Sequence, residues 1–355
     1  MSTSTSSDPR LAAFVARLKK NDARLSTWRR RDDVSCWRAF DRDMPELPIA
    51  VDVYGTRAAA PGERAVVVTA WAPRHGGGAG FATLVEACAI EAATRFGAEP
   101  AATFTQIREP GRGGEIGHDD VDSSAHALVV DEGRARFALR LGARRDPGLF
   151  LDHRTTRRLV ADTVGGRRLL NLFAYTGSFS VQAALAGAAS TLSVDLSAAT
   201  CRWAEENLAL NGLRGPEHRV IAADALTFLD DNGGAGGMGE GVGERARGMS
   251  AGSAAANIPA QFDVIVIDPP SFSKSRRANG TFEVQRDHPR LLEAAIARLA
   301  PAGEVWFSCN LREFTFDGAA LAGHKNITID DVTTTTTPPD FRGTPHHCFR
   351  LRRTR

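Results

Sequence analysis

The sequence predicts an α/β fold: a parallel sheet with helices on both faces, preceded by a smaller N-terminal α+β domain. Three observations predict it. Past Asp146, short apolar runs alternate with helix-like segments, the order produced by crossover connections. Several of those runs end in an acidic residue, at the edge where open parallel sheets bind ligands. Before Asp146, strand-like runs are divided by Gly- and Pro-rich turns, with two helical patterns among them.

The elements follow in order. Leu11, Phe14, Val15, Leu18 and Leu25 have near-helical spacing and predict an amphipathic helix over 11–30 with a basic outer face. Alternation over 49–54 and an apolar run over 65–71 predict strands. Residues 81–96 read as a helix, and 102–107, 126–130 and 135–141 as further strands around the polar loop EPGRGGEIGHDD. Residues 1–145 thus read as a basic helix plus a small α+β domain of RNA-binding type.

In 146–355 the pattern gives a helix at 154–164, strands at 168–173, 191–194, 219–222, 262–267 and 304–308, and helices at 178–186, 198–211 and 291–299. Thr333 to Thr337 reads as a β-prone linker or strand, and TPHHCFRL as a final strand with its loop. Residues 231–257, rich in Gly, Ala and Ser, read as a disordered insertion, projecting from the sheet edge opposite the site.

The chain has 355 residues, 24% charged and 43% hydrophobic, which is ample for a buried core. No run approaches the roughly 18 apolar residues of a membrane span, and MSTSTSSDPR has no secretory core, so a cytoplasmic protein without a membrane partner is expected. Five widely spaced cysteines with no CxxC pair argue against a disulfide framework or a structural zinc site. The net charge is only +2, yet eight bases stand against Asp8 and Asp22 in the first 31 residues, and Arg350, Arg352, Arg353 and Arg355 close the chain. Basic ends on a near-neutral body suit a protein that contacts phosphates.

Four motifs fall at the expected carboxyl ends of strands. NLFAYTGSFS (171–180) turns a strand into a helix, with Gly177 expected to let backbone approach a ligand. Asp195 follows the apolar run TLSV and suits ribose hydroxyls, since Ser197 is free to cap the next helix. Asp224 suits an adenine amine, with a helix cap as the competing reading. IDPPSF (267–272) is the sharpest signal. Its two prolines stiffen a turn that carries Asp268 and presents Phe272, which could stack on a flat base. Together these are the parts of a class I S-adenosylmethionine (SAM) dependent methyltransferase. An NAD enzyme would share the first two but has no use for DPPSF.

The chain resembles the C-terminal, guanine-N7 half of the bacterial bifunctional large-subunit (23S) rRNA methyltransferase. The resemblance is carried by WRRRDDVSCWRAFDRDMPELPIAVDVY, DPGLFLDHRTTRRL, LNLFAYTGSFSVQAALAGAASTLSVDLS, WAEENLALNGL, FDVIVIDPPSFSKSRR and FEVQRDHPRLL. The chain departs from that family in its Gly-rich 231–257 segment, in the few bases of loop 108–118, and in lacking the fused N-terminal methyltransferase with its THUMP domain. The resemblance implies SAM as cofactor and 23S rRNA or a ribosomal precursor as partner, with a separate methyltransferase standing in for the missing half. It implies that Phe150, Asp152, Arg154, Asn171, Phe173, Thr176, Gly177, Asp195, Asp224 and Asp268 hold SAM. Pro269, Pro270 and Phe272, with Asp268, would meet the target base. Arg286, Asp287 and His288 would form a structural or RNA-facing cluster.

Guanine N7 carries a free lone pair and no proton, so alignment, rather than a general base, is the expected device. Cys309 in WFSCN gives the rival reading, an rRNA cytosine-C5 methyltransferase with a thiolate nucleophile; a small buried thiol is the plain one. A non-catalytic RNA-binding assembly factor is the rival of another class. His346 and His347 are read as strand and loop residues, and no metal is expected.

Overall fold

The computed structural model describes residues 8–60, 62–73, 78–108, 126–142, 146–230, 258–275 and 280–354. Segment 231–257 and loop residues 109–118 lie outside them. The chain forms two compact units, Met1–Thr155 with Thr337–Pro345, and Thr156–Thr336 with His346–Arg355. The return of a late segment to the first unit was not foreseen from the sequence. Among the described residues no helix is long and apolar enough to cross a membrane.

The first unit opens with α1 (Pro9–Arg31), whose N-cap Asp8 accepts from the amide of Arg10. Its buried residues Phe14, Leu18, Asn21 and Leu25 share one face. They pack with α2 (Gly78–Phe96) against the sheet of β1 (Trp37–Asp41), β2 (Ile49–Tyr54), β3 (Arg64–Trp71) and β4 (Ala98–Arg108). β1, β2 and β3 are antiparallel neighbours, while β3 and β4 run parallel through the α2 crossover. β5 (His126–Glu132) and β6 (Ala135–Leu141) form a separate hairpin. Some of the bases of α1 also make contacts within the unit. Arg29 pairs with Asp22 and lies 4.0 Å over the Trp37 ring, and Arg24 donates to the Pro339 carbonyl.

After a 3-10 turn at Leu151–His153 comes α3 (Arg154–Ala161), in which the boundary between the units falls. The second unit is built on β7 (Arg168–Leu172), β8 (Ser190–Asp195), β9 (His218–Ala222), β10 (Phe262–Ile267), β13 (Leu299–Cys309), β14 (Ile327–Asp331) and β15 (His347–Arg353). The spatial order is β14-β15-β13-β10-β7-β8-β9. β13, β10, β7, β8 and β9 are parallel, and β15 runs antiparallel to both of its neighbours.

The helices are α4 (Ser178–Leu185), α5 (Ala198–Leu210), α6 (Ala225–Asp230), α7 (Val284–Ala297) and the short α8 (Thr333–Thr336). Strand alternation divides the core. Ile265 and Ile267 of β10 pack on the α6 and α7 side, and Val264 and Val266 on the side of α3 and α4. A strand apolar on both faces is therefore what a sandwiched parallel sheet requires.

Three expectations change. The helix expected at 291–299 begins seven residues earlier, at Val284, and Leu299 belongs to β13. The threonine run is one helical turn, because Asp331 accepts the Thr333 amide and caps it. A further hairpin of β11 (Phe272–Ser275) and β12 (Gly280–Glu283) follows the two prolines.

Candidate active site

The sheet changes winding direction between β7 and β10, which places a crevice beyond the carboxyl ends of these strands. The turn after β7, Asp195 at the end of β8, Asp224 after β9 and Asp268 after β10 all lie along this one rim.

The turn after β7 is tightly wound. Phe173, Tyr175 and Gly177 have positive φ of 55°, 49° and 73°. A Cβ on Gly177 would stand 3.0 Å from the Cβ of Ala204 on α5. The residue thus serves close approach of α5 together with its left-handed φ. Below the turn, Asn171 is 1% exposed; its amide donates to Ser180 Oγ at 3.1 Å, which meets Ser193 Oγ at 2.7 Å. Asn171 therefore supports the turn from inside rather than from the rim. Thr176 is also buried, and its carbonyl accepts from Asn207 Nδ2 at 2.9 Å.

Asp195 is more engaged than expected. Ser197 does cap α5, accepting the Thr200 amide at 3.3 Å, yet it does not leave the aspartate free. Asp195 Oδ1 accepts from the Ser197 amide at 2.9 Å and the Thr200 hydroxyl at 2.7 Å, and Oδ2 accepts from the Tyr175 amide at 2.9 Å. Of about four lone-pair positions on a carboxylate, three are filled, and the one left is on Oδ2. This carboxylate ties the β7 turn to the β8 turn and leaves one acceptor position unfilled by the described residues. Asp224 Oδ1 accepts from the amide and hydroxyl of Thr227 at 2.9 and 3.0 Å, so the capping reading holds for that oxygen. Its Oδ2 accepts nothing from any described residue.

Asp268 Oδ1 accepts the hydroxyl of Ser308, from neighbouring β13, at 2.7 Å. Pro269 is buried, Pro270 is half-buried, and Ser271 Oγ bonds Asn310 Oδ1 at 2.7 Å. The DPPS turn is thus pinned at both ends to the end of β13. Phe272 starts β11 and is 48% exposed. The hairpin comes back over the β7 turn, with the Phe282 and Phe173 rings 5.6 Å apart.

The cluster Arg286, Asp287 and His288 is a frame for this corner. Asp287 accepts the Glu283 amide at 2.8 Å, and the Arg286 guanidinium at its side holds its carboxyl below the usual range. Arg286 also donates to the Thr281 carbonyl at 2.5 Å. His288 is fully buried, and burial lowers its pKa. Its Nδ1 lies 3.0 and 3.1 Å from the carbonyls of Val284 and Gln285, and its Nε2 accepts the Asp317 amide at 3.0 Å. Those partners fix the neutral Nδ1–H tautomer. Gln285, which the sequence reading did not single out, grips both backbone groups of Thr315 at 2.9 Å. Ser271, Ser308 and Asn310 were missed too. Their signal, lone polar residues beside a strand end, is too common to stand out.

Cys309 is fully buried at the end of β13, and burial pushes its thiol up to about 12. His347 Nε2 meets the Arg312 carbonyl at 3.3 Å, and His346 Nε2 meets Thr336 Oγ1 at 3.2 Å. In the first unit, Arg154 Nη1 lies 3.1 Å from Asp340 Oδ1 and its Nη2 donates to the Cys36 carbonyl at 2.5 Å. Its charge is thus already answered within that unit. Asp152 lies in the 3-10 turn beside His153, and Phe150, just before it, is 39% exposed.

A Rossmann-like sheet with one antiparallel strand, carrying these acids on its switch-point rim, defines a SAM-dependent methyltransferase. The family model for S-adenosylmethionine-dependent methyltransferases matches residues 123–221. A structure described as a proposed SAM-dependent methyltransferase from Streptococcus mutans and a structure of a proposed methyltransferase complexed with SAH each share the fold. Both show a TM-score of 0.67 and 18% identity, over 96% of this chain and 81% of theirs.

Among relatives, the Neisseria meningitidis "Ribosomal RNA large subunit methyltransferase K" is 36% identical over 96% of this chain and 87% of its own length. The chain belongs to that family. The "Ribosomal RNA large subunit methyltransferase K/L" of Chromohalobacter salexigens is 38% identical over 96% of this chain. The chain spans 42% of that relative's length.

Proposed function

We propose that the protein methylates a guanine of large-subunit (23S) rRNA, or of a ribosomal precursor, at N7, with SAM as the methyl donor. The observation that carries this reading is the shared rim of Asp195, Asp224, Asp268 and the DPPS turn, read with the name of the Neisseria relative. The donor set fits SAM. The remaining lone pair of Asp195 suits a ribose hydroxyl, and Asp224 Oδ2 suits the adenine amine. Bound there, SAM supplies an electrophilic methyl group on sulfur.

The chain's own residues then have to bind and align. Guanine N7 offers its lone pair without deprotonation, so Asp268, held by Ser308, orients groups and balances charge instead of removing a proton. Phe272 stacks on the base, and the buried Pro269 keeps that corner from yielding. Alignment of this kind corresponds to effective molarities of about 10⁵–10⁸ M. Phe150 and Asp152 are assigned to the cofactor by family resemblance, and a separate partner methyltransferase belongs to the same reading.

The neutral, buried thiol of Cys309 speaks against the cytosine-C5 alternative, which needs a reachable thiolate. The test is methylation of 23S rRNA with labelled SAM, followed by nucleoside analysis. N7-methylguanosine is expected. Methylated cytosine would overturn the specificity, and failure to bind SAM in calorimetry would return the chain to the assembly-factor reading.

A further inference from the structure

The second unit carries another concave surface, at the end of the sheet opposite the rim. It is an open cleft of about 530 Å³, bounded by Arg167, Glu304, Arg350, Arg352 and Arg353. Glu304 lies five residues before Cys309 on β13, so the cleft stands roughly 17 Å from the rim at a rise of about 3.3 Å per residue. Register places Arg352 across from Glu304 and Arg350 across from Trp306, and alternation puts both arginines on one face of β15.

The charges do not balance. Three guanidinium groups, those of Arg167, Arg350 and Arg352, face two carboxylates. Glu304, 3% exposed, is shared by Arg350 at 2.8 Å and Arg167 at 3.4 Å, and Asp330 takes Arg352 at 2.7 Å. Arg353, on the other face of β15, instead donates to the carbonyls of Leu299 and Ile296, around the end of α7. Arg167 likewise donates to the carbonyls of Thr163, Asp263 and Ala302. Carbonyl partners fix a guanidinium without neutralising it, and the shared acid lies beneath the surface. The excess charge is thus held rigidly and faces an open trough.

We propose that this cleft is a second RNA contact, which grips backbone phosphates of the same substrate whose base is presented at the rim. The inference rests on the RNA reading given above. Guanidinium forks match phosphate oxygens, and an open trough suits a polymer backbone better than an enclosed small molecule. Its role is to hold the RNA in register while the rim handles the base.

The test uses the full chain with Arg352→Glu, Arg352→Gln and Arg352→Lys, at a half-exposed position outside the rim. SAM affinity, read by calorimetry, stays unchanged in all three. Affinity for an in vitro transcript of 23S rRNA falls about 5- to 20-fold in Arg352→Glu, with a salt slope smaller by about one. Arg352→Gln shows a weaker loss and serves if the glutamate variant fails to fold, while Arg352→Lys keeps both quantities. Unchanged affinity and slope in the folded variants, with wild type binding the transcript, overturns the proposal. So does Arg352-dependent binding of inorganic phosphate without any change in transcript affinity, which would mark a small-anion site. A wild-type protein that binds SAM but no transcript would instead remove the RNA reading itself.

Discussion

The three rim carboxylates differ in how many of their lone pairs the protein already uses, and their variants should differ accordingly. Asp195 accepts three bonds and Asp224 two, both of the latter on a single oxygen. Asp195→Asn removes the charge from a junction of two turns. We expect SAM to bind about 10- to 100-fold more weakly and stability to fall by about 1–2 kcal/mol. Asp224→Asn should lower stability by less than about 1 kcal/mol, since one oxygen can still cap α6. Calorimetric titration with SAM and urea unfolding separate the two effects. An Asp195→Asn protein with wild-type SAM affinity would rule out the ribose assignment. Cys309 makes the opposite prediction. With its thiol buried and its pKa raised to about 12, Cys309→Ala should keep methyl transfer within about threefold and lose roughly 1 kcal/mol of stability. Abolished transfer with intact SAM binding would favour cytosine chemistry.

At the scale of elements, α7 shows why part of the corner was illegible. Pro289 stands inside the helix and reads in sequence as a break, so the expected helix was placed beyond it. Proline removes the amide that would have met the Gln285 carbonyl, and His288 Nδ1 fills that place at 3.1 Å. The helix survives because a neighbouring side chain replaces the lost donor, a substitution that periodicity cannot reveal. β1 was missed for a related reason. Arg38 and Asp41 look unlike strand residues until Arg38 pairs with Asp52 across the β1–β2 ladder at 2.8 Å. By contrast, β10 was legible to the residue, since a strand buried on both faces is simply apolar throughout.

The same histidine gives a pH dependence. Burial lowers the pKa of His288 from its ordinary value near 6.5, so the unfolded chain takes up its proton first. Its contribution is complete above about pH 6.5 and is lost as pH falls below that toward the folded value, at no more than about 1.4 kcal/mol per pH unit. His288→Phe keeps a ring among Phe307, Phe314 and Phe316 but leaves the Gln285 carbonyl and the Asp317 amide without this partner. It should cost about 1–3 kcal/mol at pH 7.5 and flatten the stability profile between pH 6.5 and 5. Chemical denaturation across that range is the measurement, and an unaltered slope in the variant would assign the titration to another group.

At the scale of the whole molecule, the order of strands and acids in the second unit followed from alternation and punctuation alone, because each crossover is local in sequence. The composition of the first unit did not, because a segment near residue 340 completes it from far along the chain. Asp340 is fully buried at its carboxylate, receives the Arg38 amide at 2.9 Å and pairs with Arg154, whose side chain is 11% exposed. Arg342 adds a bond from its amide to Asp41 at 2.7 Å and an ion pair to Asp43 at 2.8 Å. No pattern of hydrophobicity announces such a join; only opposite charges distant in sequence, each too costly to bury alone, hint at it. The energetics give a distinctive signature. Removing Arg154 strands Asp340 in the interior, and removing Asp340 leaves Arg154 with Glu132 as its acidic neighbour, so Arg154→Met should cost about 3–5 kcal/mol and Asp340→Leu somewhat less in the full chain. The double variant strands neither charge, and its cost should be smaller than the sum of the two by at least about 2 kcal/mol. Asp340→Asn, which can still accept from the Arg38 amide, should fall between wild type and Asp340→Leu. Urea unfolding of the four proteins completes the cycle. Strictly additive losses would mean that the Arg154–Asp340 pair does not hold the late segment on the first unit, and that the Arg342 contacts carry that task.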